Sequence, residues 1–262
     1  MFKKNKKYIP KKGLYSDVVD YGIYRLSVLE IITAILLGGG LAFLAMYIIF
    51  RNAKVSSIFS LFGIIIGLKK YKEYLFTKRN KQILLQFKDF LESLNTSLSV
   101  GKNTSDSLKS SYEDITFQHG KEAIIAKEIS VILEGLNNGF TVEELLENMS
   151  ERIPLDDIKN FVITFNTVNR QGGNLYLLIN ETKQIISQKI EVELEIQTIV
   201  HEQQNQVKIL LFMPFVIIMM IDGMGIGAAS KMSGGVIITR IAALIFFAAG
   251  YFLAKKIMKI EV

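Results

Sequence analysis

Apolar residues fall along this chain in two patterns. In one they form long, nearly unbroken runs, at residues 28–50, 55–68, 207–221 and 236–254. In the other, from Phe87 to about Val200, they return every three or four residues among polar ones, as on the buried face of an amphipathic helix. No stretch of useful length in that central block alternates with the period of a strand, so the chain reads as all-α.

The stripes and the residues that interrupt them predict six helices in the central block. Phe87, Phe90, Leu91, Leu94 and Leu98 form the first stripe, and Gly101 is placed to end it. Asn103 to Asp106 opens the second helix. Ile124, Ile125, Ile129, Ile132, Leu133 and Leu136 line the third, which Asn137, Asn138 and Gly139 terminate. Thr141 and Glu144 have the spacing of a capping box and predict a short helix to Glu151. Pro154 suits the first position of the next helix, whose stripe is Phe161, Val162, Phe165 and Val168. Gln171, Gly172 and Gly173 break that helix, and Asn174 caps the last and longest one. No breaker separates this last helix from the apolar run at 207–221, which predicts one rigid rod entering the bilayer. The segments beginning at Gly101 and Gly139 also echo one another: each has a helix stop, a polar cap, an acidic first turn and a returning leucine. A repeated helix-turn-helix unit and ordinary capping chemistry both account for that echo.

The apolar runs have membrane dimensions. Residues 28–50 make about 23 residues, ~34 Å at helical rise, enough to cross a bilayer. Gly38, Gly39 and Gly40 at its middle either let another helix approach closely or only loosen this one. Residues 55–68 are short for a span, but Tyr71, Tyr74, Leu75 and Phe76 extend it if the intervening lysines snorkel. We read these as one transmembrane hairpin, with a turn at 51–54. The runs at 207–221 and 236–254 make a second hairpin around a glycine-rich turn, 222–235. Pro214 inside the third run predicts a kink.

Charge orients this layout. Of 262 residues, 50% are hydrophobic and 21% charged; the mean hydropathy of +0.30 fits a chain partly in water and partly in lipid. The net charge of +6 gathers where apolar runs end: Lys3 to Lys12, Lys69 to Lys81, and Lys255 to Lys259. By the positive-inside rule both termini and the central block are cytoplasmic. The expected organisation is a basic cytoplasmic segment, 1–27; a two-span hairpin, 28–76; a cytoplasmic helical domain, 77–206; a second hairpin, 207–254; and a basic tail, 255–262.

Candidate chemistry is sparse. The absence of cysteine excludes disulfides, thiolate metal sites and cysteine nucleophiles. There is no P-loop pattern, and His119 and His201 are far apart in sequence, with no neighbouring carboxylate pair at ligand spacing. No catalytic, cofactor or metal residue is assigned. No basic stripe is interleaved with aromatics, so no nucleic-acid partner is expected. Glu143, Glu144, Glu147 and Glu151 suggest a docking face for a basic partner, or else a solvated face near a helix N-terminus. Asp222 and Arg240 lie near the outer ends of the last two spans, where they can pair or snorkel.

Three segments in order carry a family resemblance: 87–101, with its stripe and closing glycine; 139–152, the capped acidic helix; and 171–179, where Gly172-Gly173-Asn174-Leu175 opens the long helix. With the flanking hairpins, this resembles the F-domain family of type II secretion systems, in its tight-adherence (Tad) pilus branch. The resemblance implies a cytoplasmic six-helix antiparallel bundle between two transmembrane hairpins, in an inner-membrane platform protein that is not an enzyme and takes no cofactor. Its implied partners are a secretion ATPase, a paralogous F-domain platform protein, pilin-like subunits and the lipid bilayer, in a homo- or hetero-oligomer. Candidate partner contacts are Glu143, Glu144, Glu147, Arg152, Gly172, Gly173 and Asn174; candidate membrane-coupling residues are Pro214, Asp222 and Arg240. The alternative is a membrane-anchored signalling or scaffold protein whose helical block binds a soluble regulator. A small transporter is a third reading, supported only by the glycine-rich turn and Arg240.

Overall fold

The computed structural model describes residues 13–14, 18–224 and 250. Among them every regular element is helical: α1 Val28–Phe50, α2 Ala53–Ser99, α3 Thr104–His119, α4 Ile124–Asn137, α5 Val142–Arg152, α6 Asp156–Arg170 and α7 Leu175–Gly223. The chain divides into two compact units. One joins Met1–Arg25 to Tyr74–Glu191, and the other joins Leu26–Glu73 to Val192–Val262.

In the second unit, α1 covers the first apolar run, and it is the one described helix long and apolar enough to cross a membrane. Ser27 and Glu30 close a capping box at its start, the Ser27 amide donating to Glu30 Oε2 at 2.7 Å. Its C-cap, Arg51, takes a left-handed conformation (φ 49°), and Asn52 Oδ1 accepts the Lys54 amide at 3.0 Å to begin α2. The turn is thus two residues, tighter than the four expected. Glycine decides how α1 meets α2. A Cβ on Gly38 would lie 2.7 Å from the Gly63 carbonyl oxygen and 2.9 Å from Gly67 Cα, and one on Gly39 would meet the Ile64 side chain at 2.7 Å. Gly40 has nothing within 4 Å. Ser60 Oγ also donates to the Gly39 carbonyl at 3.0 Å. Gly63 and Gly67, at the small-xxx-small spacing of close helix crossings, are the other half of this contact and were not singled out from the sequence.

The basic cluster at 69–81 does not end the second apolar run as a helix boundary. α2 continues through it for 47 residues in all, because nothing between Ala53 and Ser99 removes a backbone donor or clashes with the helical ladder.

The first unit is held by one apolar cluster. It takes Ile83, Phe87, Phe90, Leu91 and Leu94 from α2, Ile125, Ile129 and Ile132 from α4, Phe161, Val162 and Phe165 from α6, and Ile179 and Ile186 from α7. Those from α4 and α6, and all but Ile83 from α2, belong to the stripes read from the sequence, and each large side chain removed from water contributes roughly 1.5–3 kcal/mol. Phe87 meets Phe161 edge-on with centroids 5.4 Å apart, the favoured geometry for an aromatic pair. The N-cap of α4 is Ala123, which has no polar side chain. Buried Gln86 of α2 takes over that role, accepting the Ile125 amide at 3.2 Å. His119, at the end of α3, meets Asp89 of α2 with Nε2 2.8 Å from Oδ2, which makes it a structural histidine.

Two boundaries differ from the sequence reading. Pro154 is not the first residue of α6: the Leu155 amide donates to the Ile153 carbonyl at 2.9 Å, closing a three-residue turn around the proline, and Leu155 in extended backbone is the N-cap. At the far end, α7 reaches Gly223, so Asp222 lies in its last turn rather than in the loop beyond. The fourth apolar run apart from Gly250, its basic end, and most of the glycine-rich turn lie outside the described residues.

Candidate functional site

Three helix-to-helix turns share one construction. Gly101, Gly139 and Gly172 have φ of 81°, 87° and 65°, the left-handed region that glycine enters without Cβ strain. In each, the glycine amide bonds back to a carbonyl three residues earlier, and the next amide to one five residues earlier: Gly101 to Leu98 and Lys102 to Ser97, Gly139 to Leu136 and Phe140 to Gly135, Gly172 to Asn169 and Gly173 to Val168. Two residues after each glycine stands Asn103, Thr141 or Asn174, whose side chain accepts an amide of the next helix at 2.8, 3.3 and 3.2 Å respectively. The echo between Gly101 and Gly139 is therefore stop-and-cap chemistry, and it occurs a third time at Gly172.

Gly172, Gly173 and Asn174 form the third of these turns. Gly172 has open space around it, whereas a Cβ on Gly173 would press on Val168 Cγ1 at 2.9 Å. Asn169 joins this turn to the start of α5: its carbonyl accepts the Gly172 amide at 3.3 Å, and its side-chain amide donates to Glu143 Oε1 at 2.6 Å. The structure thus brings Glu143 and the Gly172 turn to one end of the unit, 29 positions apart in sequence though they are.

The acids of α5 divide by role. Glu143 holds Asn169, and Glu144 closes the capping box with Thr141, accepting its amide at 3.0 Å and its hydroxyl at 2.9 Å. Those bonds, the backbone one first, hold the Glu144 carboxyl below the usual glutamate range. Glu144, Glu147 and Glu151 are exposed at helical spacing, so they share a solvent-facing acidic strip.

Arg152 has a different place. It is 1% exposed and forks onto Glu128 of α4, itself 2% exposed, with Nη1 to Oε1 at 2.7 Å and Nη2 to Oε2 at 2.5 Å. Its Nε donates to Asn148 Oδ1 at 3.1 Å and its Nη1 to the Val19 carbonyl at 3.2 Å. Arg152 is an internal group, not a surface contact.

Glu128, Tyr21, Val19 and Arg79 complete this cluster and were missed in the sequence. Residues 18–25 lie as a strap: the Tyr21 amide donates to the Arg152 carbonyl at 3.0 Å, and the Tyr21 hydroxyl donates to Glu128. Burial, and then the Glu128 carboxylate, push the Tyr21 phenol well above its usual range. Arg79 of α2 donates to the carbonyls of Tyr21 and Ile23 and lies over the rings of Tyr24 and Phe76 at 4.9 and 5.5 Å. A buried glutamate one helix before the capped acidic helix was the available signal, but inside the stripe of α4 it reads as an exposed polar residue.

Of the membrane-coupling candidates, Pro214 lies inside α7, whose helical backbone continues past it to Gly223. Asp222 is in the final turn of α7, and Arg240 lies outside the described residues.

The model of the family described as type II secretion system, protein F matches residues 86–223, just over half of the chain. No curated protein and no solved structure matches it.

Proposed function

The chain belongs to the type II secretion system protein F family, and from that membership we propose that it is the platform of a tight-adherence-like pilus machine, coupling a cytoplasmic secretion ATPase to extrusion of pilin-like subunits. Members of this family are inner-membrane platform components of type II secretion and related type IV pilus systems. The observation that carries the reading is where the match ends. It closes at residue 223, the last residue of α7, so the family region includes the whole long helix and not only the helices packed before it.

In this reading the ATPase, directly or through a paralogous F-domain protein, docks on the acidic strip Glu144, Glu147 and Glu151 and on the neighbouring Gly172–Asn174 turn. The 49 residues of α7 make a rod of roughly 70 Å at helical rise. Displacement at its capped start passes to its apolar end around Pro214, because a helix resists axial deformation through its hydrogen-bonded ladder. There it shifts a lipid-facing surface on which a pilin helix is lifted. Two hairpins, with both termini and the helical unit cytoplasmic, give the topology this requires; α1 pairs with the first part of α2, and 207–254 form the other hairpin.

The test is a flexible glycine-rich insertion near Gln204, introduced into a host lacking the native copy. Filament assembly is expected to be lost while membrane insertion persists; normal assembly by the variant would defeat the coupling mechanism. Mild detergent extraction of a tagged chain should co-purify a P-loop ATPase and a second F-domain protein. Recovery of a soluble regulator alone would favour a scaffold.

A further inference from the structure

The strap at residues 18–25 occupies a position that neither the family match nor the proposed coupling through α7 uses. It has no helix or strand, so what holds it is local. Tyr21 is its one core side chain, 6% exposed, while Val19 is 61% exposed. The remaining attachments are polar: Arg152 to the Val19 carbonyl, the Tyr21 amide to the Arg152 carbonyl, the Tyr21 hydroxyl to Glu128, and Arg79 to two strap carbonyls. The surface beneath it is therefore built around an ion pair.

We propose that residues 18–25 are a releasable latch, clamped on α2, α4 and α5 by Arg79, Arg152 and Glu128.

Release differs here from the opening of an apolar seam. Lifting a segment from hydrocarbon exposes hydrocarbon to water, a loss with nothing to offset it. Lifting this strap lets water reach Arg152 and Glu128, whose burial carries a desolvation penalty. Hydration then offsets part of the lost contacts. The fit is also incomplete: Arg79 Nε is buried without a partner, a group that gains a hydrogen bond when water enters. Apart from Ala123 and Ile153, which lie in the turns beside α4 and α5, the rest of the core is drawn from the helices. Local opening of such a segment, with its scaffold intact, is the expected low-energy fluctuation.

Hydrogen exchange on the full chain in lipid nanodiscs, resolved by mass spectrometry, tests this without reference to secretion. Wild type is compared with Arg79→Ala and with Tyr21→Ala, which keeps both arginines. In each variant the amides of 18–25 are expected to exchange at least tenfold faster, with those of α4, α5 and α6 unchanged. Unchanged exchange of 18–25 in both variants would show that these contacts do not hold the strap. Equal acceleration of α4 and α5 in both would make the strap an integral part of the core; either result overturns the latch. If Arg79→Ala does not fold, Tyr21→Ala decides alone by the same criteria.

Discussion

Removing Arg152 while leaving Glu128 in place should be among the most damaging single changes available in the first unit. In Arg152→Met a side chain of similar reach keeps much of the packing but loses the charge. The two forked bonds to Glu128 disappear, as do those to Asn148 and the Val19 carbonyl. Adding up four hydrogen bonds would overstate the effect, because the pair also sheds its own desolvation cost. The decisive feature is Glu128, 2% exposed, left as a buried carboxylate without its cation, a situation that costs about 3–5 kcal/mol. For a chain of this size that corresponds to a fall in Tm of roughly 6–20 °C. The double variant Glu128→Leu/Arg152→Met removes both charges. It leaves the Tyr21 hydroxyl and the Val19 carbonyl short of partners, at about 1–3 kcal/mol for each group that water cannot reach. It should still recover at least ~2 kcal/mol relative to the single variant, a non-additivity expected of touching charges. Helical signal followed through thermal unfolding in one detergent reads both effects. A single variant within ~2 °C of wild type, or a double variant additive with its parents, would refute the buried-pair reasoning.

Two further predictions follow from close contacts and caps. Gly38→Ile places a side chain 2.7 Å from a backbone oxygen of α2 that cannot yield, whereas Gly40→Ile enters open space. The first should lower Tm by roughly 2–12 °C, from about 1–3 kcal/mol of overpacking, and the second should leave it nearly unchanged; equal effects would contradict the α1–α2 crossing. Glu144→Gln keeps the shape of the capping box but not its charge. Since the folded state holds the Glu144 carboxyl below its unfolded value, its contribution is complete above the unfolded range, ~4.3, and is lost as pH falls through the lower folded value. Wild type should therefore exceed Glu144→Gln in stability at pH 7 and converge with it in acid. A gap that persists unchanged into acid would deny the charge its role.

What local chemistry controls could be read without a fold. The stripes of α4 and α6, the capping box of α5, the break at Gly172 and the uninterrupted α7 depend on side-chain period, backbone conformation and caps within a few residues. Each proved to be where its residues placed it. Local reasoning failed at Pro154 because a three-residue turn competes with helix initiation, and only the neighbouring backbone bond at Ile153 chooses between them.

The sequence by itself determined an all-helical chain, the position of its first apolar span, the stops and caps between its helices and, through three ordered segments, its family. Tertiary structure alone decided which polar residues face inward. Arg152 and Glu128 are 24 positions apart, and Tyr21 lies on a segment with no periodic pattern at all. In the sequence each is indistinguishable from a solvated residue. Burial of a charge becomes tolerable only when its partner arrives from another element, and that encounter is long-range. The glycines of α1 and α2 obey the same rule: composition allows Gly38, Gly39 and Gly40 equally, and the crossing of the two helices selects the first two.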